Sequence, residues 1–451
     1  MKSLADILRN RANGQMLWWT ADGDSITAGS ILAAREAMTI SQWFGKRVAV
    51  GGMSSLELAR CLVLLDGVAE SILFLPLEQD QAAQQKYLSD MQIDVVLGDR
   101  AVAVEALTDC AKDESPLPAC ASNCSAEVQT HWILPTSGTT GTPKLIRHTL
   151  ASLTRSMSQR DFGAEYVWGS LYHPRRFAGL QVFLQSLLAG TPLILDDRFE
   201  IGPKYVSTLT ARGCNALSAT PSMWRKLAMC AGFEKLPLKQ ITLGGEIADQ
   251  PILDLLQRCF PAARVTHIYA STEAGVGFAV RDGIAGFPTS YLSSPPSRVA
   301  MRVDGDGHLW FRPEDNAPEE IGVTGNAGDD WIDSGDVVKV TGDRIHFLGR
   351  ASGSINVGGN KVMPEEVEAA IKEVHGVALA LVKGRKNALM GNLVEAHVAT
   401  VEGVAFNEQF KRNITEHCRS RLDAFKVPAF IKPMDQLELT ATGKINRKEA
   451  T

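Results

Sequence analysis

One short segment that combines hydroxyl side chains, glycines and a lysine is the part of the sequence best suited to binding an anion. The hydroxyls and glycines fall within residues 137–142, and the lysine follows two positions later. Glycine lets the backbone approach a ligand and turn its N–H groups towards it, while hydroxyls and the lysine add side-chain donors. We therefore predict a phosphate-binding loop formed by Ser137, Gly138, Thr139, Thr140, Gly141 and Lys144.

The loop differs from a Walker A motif, because Pro143 stands where that motif would have its second glycine. A flexible surface loop rich in serine, threonine and glycine is the plain structural alternative. Apolar segments at 132–134 and 145–146 flank the loop and favour one that is anchored at both ends. The first of these segments is predicted to be a buried strand.

Four further segments carry residue types that could act on a nucleotide. They are Tyr269-Ala270-Ser271-Thr272-Glu273, Asp333-Ser334-Gly335-Asp336, Gly349-Arg350 and the segment 440–447, which contains Lys444. The first follows a predicted strand, and the second is predicted to form a turn. Taken singly, each has an ordinary explanation as a solvated charge or a turn-forming residue. Their order along one chain is what indicates a shared function.

The elements that must position these segments alternate between strands and helices, which favours an α/β fold with parallel strands. Beyond a loop rich in glycine, serine and asparagine at 350–360, a helix is predicted to begin at Pro364, because proline suits the first helical turn. We predict a large multi-layer α/β N-terminal domain, residues 1–349, and a small mobile α+β C-terminal domain, residues 350–451. The hinge between them is placed near 350–354.

Size and charge exclude several classes of protein. The chain has 451 residues with a formal net charge of -5, which gives no reason to expect nucleic acid as a partner. No apolar run reaches the roughly 18 uncharged residues that a membrane span needs, and the N-terminus lacks an apolar signal core. We therefore expect a cytoplasmic protein without a membrane span. The sequence leaves the oligomeric state open, a homodimer included.

In this order and at these separations, the motifs resemble those of the adenylate-forming superfamily, which includes acyl- and aryl-CoA ligases, adenylation domains and luciferases. The resemblance runs from about residue 40 to the end of the chain. The phosphate loop matches S-G-T-T-G-x-P-K, and residues 269–273 match Y-G-x-T-E with Ala270 in place of glycine. Residues 334–336 match T-G-D, and the segment 440–447 matches T-x-x-G-K-x-x-R.

The resemblance implies an enzyme that uses ATP and Mg²⁺ to convert a carboxylic acid into an acyl adenylate, and then transfers the acyl group to the thiol of coenzyme A. A stand-alone adenylation enzyme that loads the phosphopantetheine of an acyl carrier protein is the first alternative. A non-catalytic nucleotide-binding protein is a more remote one. The absence of a clear aspartate for a substrate ammonium group favours an acyl or aryl acid over an amino acid.

The resemblance also implies a role for each motif. Lys444 would bridge the carboxylate and the α-phosphate, Thr272 would donate to the α-phosphate, and Glu273 would hold Mg²⁺. Tyr269 would lie against adenine, while Asp336 would accept from the ribose hydroxyls with the help of Arg350. The remaining nucleotide contacts are Gly244, Gly245, Glu246, Ala270 and Ser271.

The resemblance also implies which residues bind the acid and the thiol. His173, Ser218 and Thr220 are expected in the acid pocket, and a rotation of the C-terminal domain would bring Gly358 and Gly359 to a pantetheine tunnel. Free CoA would need cations for its 3′-phosphate, for which Lys383, Arg385 and Lys386 are candidates. The sequence departs from the family pattern at the hinge and just beyond it, where Ser352 and Gly353 replace the usual acids and Asn356 replaces a frequent lysine.

Overall fold

The computed structural model describes residues 3–20, 23–76, 81–98, 128–136, 144–157, 165–197, 201–313, 318–321, 331–401 and 403–434. The predicted phosphate-loop residues Ser137, Gly138, Thr139, Thr140 and Gly141 lie outside the described residues, and so does Lys444. The predictions made for them are therefore not tested by the structure.

The strands of the described residues are labelled in chain order. They are β1 (Met16–Thr20), β2 (Ser25–Thr27), β3 (Arg47–Val50), β4 (Ser71–Phe74), β5 (Val95–Leu97), β6 (His131–Pro135), β7 (Leu145–His148), β8 (Trp168–Ser170), β9 (Leu193–Leu195), β10 (Ala216–Ala219), β11 (Gln240–Gly244), β12 (Arg264–Ser271), β13 (Gly275–Val280), β14 (Phe287–Pro288), β15 (Val299–Val303), β16 (His308–Pro313), β17 (Glu319–Glu320), β18 (Ile332–Thr341), β19 (Arg344–Arg350), β20 (Ile355–Val357), β21 (Asn360–Val362), β22 (Val377–Asn387), β23 (Gly391–Thr400) and β24 (Phe430–Pro433).

The α-helices of the described residues are labelled in the same way. They are α1 (Leu4–Leu8), α2 (Ala28–Ala37), α3 (Ile40–Trp43), α4 (Ser55–Leu65), α5 (Gln81–Asp90), α6 (Leu150–Thr154), α7 (Phe177–Ala189), α8 (Pro203–Ala211), α9 (Pro221–Ala228), α10 (Gln250–Cys259), α11 (Ser290–Ser293), α12 (Pro364–Lys372) and α13 (Glu408–Arg421).

Two mainly parallel sheets form the body of the N-terminal domain. The first has the order β13-β12-β11-β10-β8-β9-β1-β2, with antiparallel pairs only at its two edges. The second has the order β17-β7-β6-β4-β3-β5 and is parallel from β6 to β5. Helices joining parallel strands cover the sheet faces, as the alternating pattern of the sequence predicts.

Two smaller sheets follow along the chain. The third sheet, of order β14-β19-β18-β16-β15, is antiparallel, and Phe278, Phe287 and Phe311 belong to its apolar core. The C-terminal sheet joins β21, β20, β23, β22 and β24, and it packs its own core with α12 and α13. The predicted class, a large α/β domain followed by a small α+β domain, agrees with this architecture.

Local sequence signals set the ends of two helices of the N-terminal domain. Helix α4 begins with a capping box in which the Ser54 hydroxyl accepts from the backbone N–H of Glu57, and it buries Leu58, Leu62 and Leu65. Helix α7 ends at Gly190, whose φ of 69° gives the left-handed C-terminal geometry that glycine adopts without steric cost. Apolar spacing in the sequence predicts these helices over 54–65 and 177–188, and each end lies within one residue of the observed one.

The structure differs from the sequence predictions in two places. Residues 333–336 were predicted as a turn but lie within β18, where Gly335 takes a φ of +70° and the pairing with β19 shifts register after Val337. The loop predicted at 350–360 contains the β20–β21 hairpin, closed by Gly358 and Gly359. In both places glycine supplies a positive φ: Gly335 does so two residues before the register shift of β18, and Gly358 and Gly359 do so at the turn of the hairpin.

Within the described residues, no helix combines the length and the apolar character that crossing a membrane would require.

Candidate active site

A cavity of about 510 Å³ lies between the first sheet and α7. Gly244 and Ala270 line it at the carboxyl ends of β11 and β12, while Thr242 and Thr266 line it deeper along the same strands. Its opposite wall is one face of α7, from which Phe177, Gln181 and Gln185 project at intervals of four residues. Ligands of open α/β sheets bind at the carboxyl ends of strands, so this position suits a small-molecule site.

A second cavity of about 310 Å³ adjoins the first and lies between the two domains. Both cavities are lined by Gly245, Ala270 and Arg350. The C-terminal domain contributes a face of α12, including Glu368 and Lys372, to the wall of the second cavity. A ligand that extends from one cavity into the other would pass Gly245 and Ala270.

Tyr269 is fixed at the second cavity by aromatic packing and a hydrogen bond. Its ring stacks with those of Phe278, Phe311 and Phe347 at centroid distances of 5.4, 5.0 and 5.1 Å. Its hydroxyl donates to Asp336 Oδ2 at 2.5 Å. Burial and the nearby Asp336 carboxylate raise the pKa of Tyr269 well above its usual range, so the phenol remains protonated and acts as a donor.

The strand pairing of the third sheet brings Asp336 and Arg350 together. These residues are directly opposite each other in the β18–β19 pair, and Arg350 Nε lies 2.9 Å from Asp336 Oδ1. The Ser334 hydroxyl accepts from the backbone N–H of Asp336 and donates to the Leu309 carbonyl, which fixes the strand around the carboxylate. The structure thus brings together three predicted nucleotide contacts, Tyr269, Asp336 and Arg350.

Thr272 and Glu273 lie in the turn between β12 and β13 and line the first cavity. The turn is closed by the Ser271 hydroxyl, which accepts from the backbone N–H of Ala274 at 3.0 Å. Arg155, from outside the turn, donates to the Ala274 carbonyl at 2.6 Å. Arg155 could not be predicted from the sequence, because no local pattern connects it to a turn more than a hundred residues away.

A buried histidine also lies close to this turn. His148 is 1% exposed at the end of β7, and its Nδ1 is 3.2 Å from the Ser152 hydroxyl. Burial lowers the pKa of His148 to about 4, an effect that the backbone of Thr272 partly offsets. The ring is therefore neutral near pH 7 and brings no charge to the turn.

The three residues predicted for the acid pocket all line the first cavity. His173 Nδ1 accepts from the backbone N–H of Arg175 at 3.1 Å, and burial together with Arg175 and Arg176 lowers its pKa to about 3. His173 is therefore a neutral group near pH 7. Ser218 is buried in β10, and the Thr220 hydroxyl caps α9 by accepting from the N–H of Met223 at 3.1 Å.

Four other predicted residues do not line the first cavity. Glu246 lines the second cavity, but its carboxylate accepts from the backbone N–H of Ser222 at 2.9 Å. The Lys144 ammonium lies 3.1 Å from Glu320 and lines neither cavity. Gly358 and Gly359 form the turn of the β20–β21 hairpin with φ values of +58° and +89°, and they also line neither cavity.

The predicted phosphate loop leaves β6 beside the first cavity. The backbone N–H of Thr136 donates to the Lys144 carbonyl at 2.8 Å, so the chain enters and leaves the segment 137–143 at one point. Pro135 and Thr136 line the cavity there.

Polar groups in the deep part of the first cavity were not predicted from the sequence. Gln185, Gln240, Thr242 and Thr266 line it, and the last three are less than a tenth exposed. Polar residues that alternate with apolar ones in buried strands, as in Gln240-Ile241-Thr242-Leu243, are the signal that could have revealed them.

Comparison with known proteins identifies the family. The model of the AMP-binding enzyme family matches residues 54–304, more than half of the chain, and the model of the AMP-binding enzyme C-terminal domain matches residues 366–444. The chain belongs to this family of adenylate-forming enzymes, so the resemblance inferred from the motifs is confirmed. The second match lies within the predicted C-terminal domain, although it does not test the boundary at 349/350.

Individual relatives are distant. The chain is 27% identical over 363 residues to surfactin synthase subunit 1 of Bacillus subtilis, covering 70% of this chain and 10% of that protein. It is 25% identical over 328 residues to the 2-succinylbenzoate–CoA ligase of Listeria innocua, covering 70% of this chain and 68% of that one. The ATP-bound structure of MatB from Rhodopseudomonas palustris has a TM-score of 0.77 at 19% identity, covering 98% of this chain and 97% of that chain. The fold class is thereby confirmed.

Proposed function

We propose that the protein activates a carboxylic acid as an acyl adenylate at the expense of ATP and then transfers the acyl group to the thiol of coenzyme A. The observation that carries this proposal is the junction of the two cavities at Gly245 and Ala270. On one side lie Tyr269, Asp336 and Arg350, which suit a nucleoside. A nucleotide held there would present its α-phosphate to an acid bound in the first cavity, beside Thr272.

The chemistry explains why both ligands must meet. A carboxylate resists attack because its leaving group would be oxide, and adenylation replaces that group with AMP. The carboxylate oxygen attacks the α-phosphorus, the bond to the β,γ-unit breaks, and pyrophosphate leaves. Negative charge accumulates on the transferring group, so fixed donors such as the Thr272 hydroxyl would stabilise the transition state.

Mg²⁺ is the cofactor expected for this step, and Glu273 would contribute its protein ligand. No group of three or more acidic, histidine or cysteine side chains suited to a metal occurs among the described residues. A magnesium ion that accompanies a nucleotide needs only one or two carboxylates, because phosphate oxygens and water complete its octahedron. The single carboxylate at this end of the first cavity fits that requirement.

The remaining roles are proposed from the motifs. Lys444 would approach the α-phosphate from the C-terminal domain, and the loop 137–141 with Lys144 would hold the β- and γ-phosphates. We place the domain boundary at 349/350, directly before Arg350, which contacts both cavities. A rotation about this point would exchange Lys444 for Gly358 and Gly359 before the thiol step.

Coenzyme A is the proposed acceptor, and its binding would use cations of the C-terminal sheet. Lys383 and Arg385 both lie near Glu395, whose carboxylate is 3.9 Å from one and 3.4 Å from the other. Lys432 lies 3.1 Å from the same carboxylate. These cations outnumber the single acid between them, which leaves the patch positive and suited to a phosphate.

Product analysis tests the proposal. The protein would be incubated with ATP, Mg²⁺, a panel of carboxylic acids and either CoA or a carrier protein bearing phosphopantetheine, and the products would be identified by mass spectrometry. We expect AMP together with an acyl-CoA. Acyl loading of the carrier protein alone would overturn the choice of CoA, and release of ADP instead of AMP would overturn the reaction itself.

A further inference from the structure

The deep half of the first cavity is polar, although it lies against the middle of a sheet that is otherwise packed with apolar residues. Ser218, Thr242 and Thr266 line it from three neighbouring strands. Their exposed fractions are 4%, 9% and 4%, so these hydroxyls are shielded from bulk water. Hydroxyls that line a cavity in this way can bind a polar group of a ligand.

The strand register places these hydroxyls in one row across the sheet. Ser218 is paired with Thr242, and Thr242 with Thr266, so their side chains lie on the same face at neighbouring positions. Gln240 and Arg264 are paired one step deeper, two residues earlier in each strand. The floor of the cavity is therefore two successive polar rows.

Gln240 fixes the orientation of the hydroxyl row. Its Nε2 lies within hydrogen-bond distance of Thr242 Oγ1 and the Ile241 carbonyl, both at 3.1 Å, and of Thr266 Oγ1 at 3.4 Å. Its Oε1 accepts from Arg264 Nε at 2.6 Å. A hydroxyl that accepts from an amide still has its own proton to donate. Thr242 and Thr266 can therefore donate to a ligand in the cavity that they line.

The charges around the cavity also favour a ligand group that accepts hydrogen bonds. Arg264 and Arg281 line the deep half, and Glu273, at the nucleotide end, is the acidic residue among the described lining residues. Along β12, Ala270 at the nucleotide end and Thr266 at the floor are four residues apart, which is roughly 13 Å of strand. Both arginines are solvent-exposed, so their charges border the floor rather than form it. The floor is thus rich in donors, free of acidic side chains among the described lining residues, and well separated from the carboxylate that would be activated.

We propose that the acid activated by this protein carries a hydrogen-bond-accepting oxygen at the end opposite its reactive carboxylate. Thr242 and Thr266 donate to that oxygen and determine specificity, with Gln240 orienting them. A hydroxyl group and a second carboxylate share this chemistry. The inference rests on the proposed adenylating function and specifies its substrate class.

Matched acids test the inference by acid-dependent ATP–pyrophosphate exchange. One series is benzoate, 4-hydroxybenzoate and terephthalate, and the other is hexanoate, 6-hydroxyhexanoate and adipate. We expect kcat/KM at least tenfold higher for a substituted acid than for its unsubstituted parent in the series that fits. The hydroxyl and carboxylate members of each series distinguish the two sources of the oxygen.

Variants then test whether Thr242 and Thr266 cause the preference for the substituted acids. Thr242→Val and Thr266→Val keep the side-chain shape and remove the donor, so they should reduce the ratio between substituted and parent acids about tenfold. Thr341→Val, the same change at an exposed position of β18, is the control and should leave the ratio unchanged.

Each outcome has a distinct meaning. Exchange that is equally good with parent acids, or a ratio unaffected by both floor variants, would overturn the inference while the adenylating function stands. If no acid of either series supports exchange, the adenylating function fails in this test and the inference fails with it. The preference of the wild-type protein decides the first question even if a variant does not fold.

Discussion

The hydroxyl of Tyr269 donates to Asp336 Oδ2 at 2.5 Å, which joins the residue predicted to contact adenine to the one predicted to hold the ribose. Asp336 Oδ1 lies 2.9 Å from Arg350 Nε, so both carboxylate oxygens are oriented before any nucleotide binds. Such preorganisation reduces the ordering cost of binding.

Asp336→Asn is predicted to weaken AMP binding at least tenfold, equivalent to about 1.4 kcal/mol. The amide removes the negative charge and one acceptor that the ribose hydroxyls would use. Tyr269→Phe retains the stacked ring and loses only the orienting donor, so its effect should be smaller. Isothermal titration with AMP measures both, and Asp306→Asn, at an exposed turn, is the control. Unchanged affinity in Asp336→Asn would contradict the ribose assignment.

Lys444→Ala is predicted to abolish most adenylation while leaving ATP binding nearly intact. A cation that acts on the developing charge contributes mainly in the transition state, so its loss should cost roughly 3 kcal/mol or more in the rate. Rapid-quench measurement of pyrophosphate release reports the adenylation step directly. Release at the wild-type rate would rule out the role proposed for Lys444.

Gly359→Leu is predicted to slow thioester formation more than adenylation. A Cβ on Gly359 meets no atom within 4 Å in this structure, so the side chain would obstruct only a partner that approaches the hairpin. The φ of +89° adds local strain. Gly342→Leu is the matched control, because Gly342 has a φ of +60° and equally open surroundings. Equal loss in both half-reactions of Gly359→Leu would refute the tunnel assignment.

A buried ion pair is predicted to hold the two domains in the orientation observed here. Lys372 Nζ, on α12, lies 2.6 Å from Asp249 Oδ2 at the start of α10, and Arg225 lies 2.5 Å from Asp249 Oδ1. Lys372→Met would leave Asp249 paired with Arg225. The free energy of unfolding should therefore fall by less than the roughly 3–5 kcal/mol expected when a buried charge loses its only partner. Faster tryptic cleavage at Arg350 is the expected result, with Lys426→Met, whose pair with Glu366 lies within the C-terminal domain, as control.

The same pair predicts an acid-sensitive contact between the domains. Burial raises the pKa of Asp249, but Lys372 and Arg225 outweigh it and hold the pKa at about 2. Because this value lies below that of an unfolded aspartate, the pair stabilises the fold above about pH 4 and loses this contribution as the pH falls towards 2. Urea unfolding measures the free energy of unfolding at pH 5 and at pH 3. We expect it to decrease less between these pH values in Asp249→Asn than in the wild-type protein, and equal decreases would contradict the assignment.

Much of the fold could be predicted from local sequence. The capping box at Ser54 and the glycine after α7 set the ends of their helices through residues that are close in the sequence, so these ends could be predicted. The residues proposed to contact the nucleotide were chosen because each lies in a short motif of fixed spacing, such as residues 269–273, and their roles stay predictions.

The remaining features depend on contacts between distant segments. The hydroxyl row joins Ser218, Thr242 and Thr266, which only the strand register brings together. The same applies to Arg155 at the 271–275 turn and to the pair of Asp249 with Lys372. The strand at 333–336 was predicted as a turn because aspartate, serine and glycine favour turns locally, and pairing with β19 overrides that preference.

The central claim, formation of an acyl adenylate, is tested most directly by acid-dependent exchange of labelled pyrophosphate into ATP in the absence of any thiol. We predict exchange that requires a carboxylic acid and falls at least a hundredfold in Glu273→Gln, which removes the charge proposed to hold Mg²⁺. Exchange that is independent of the acid, or no exchange with any acid by a protein that still binds AMP, would contradict the account.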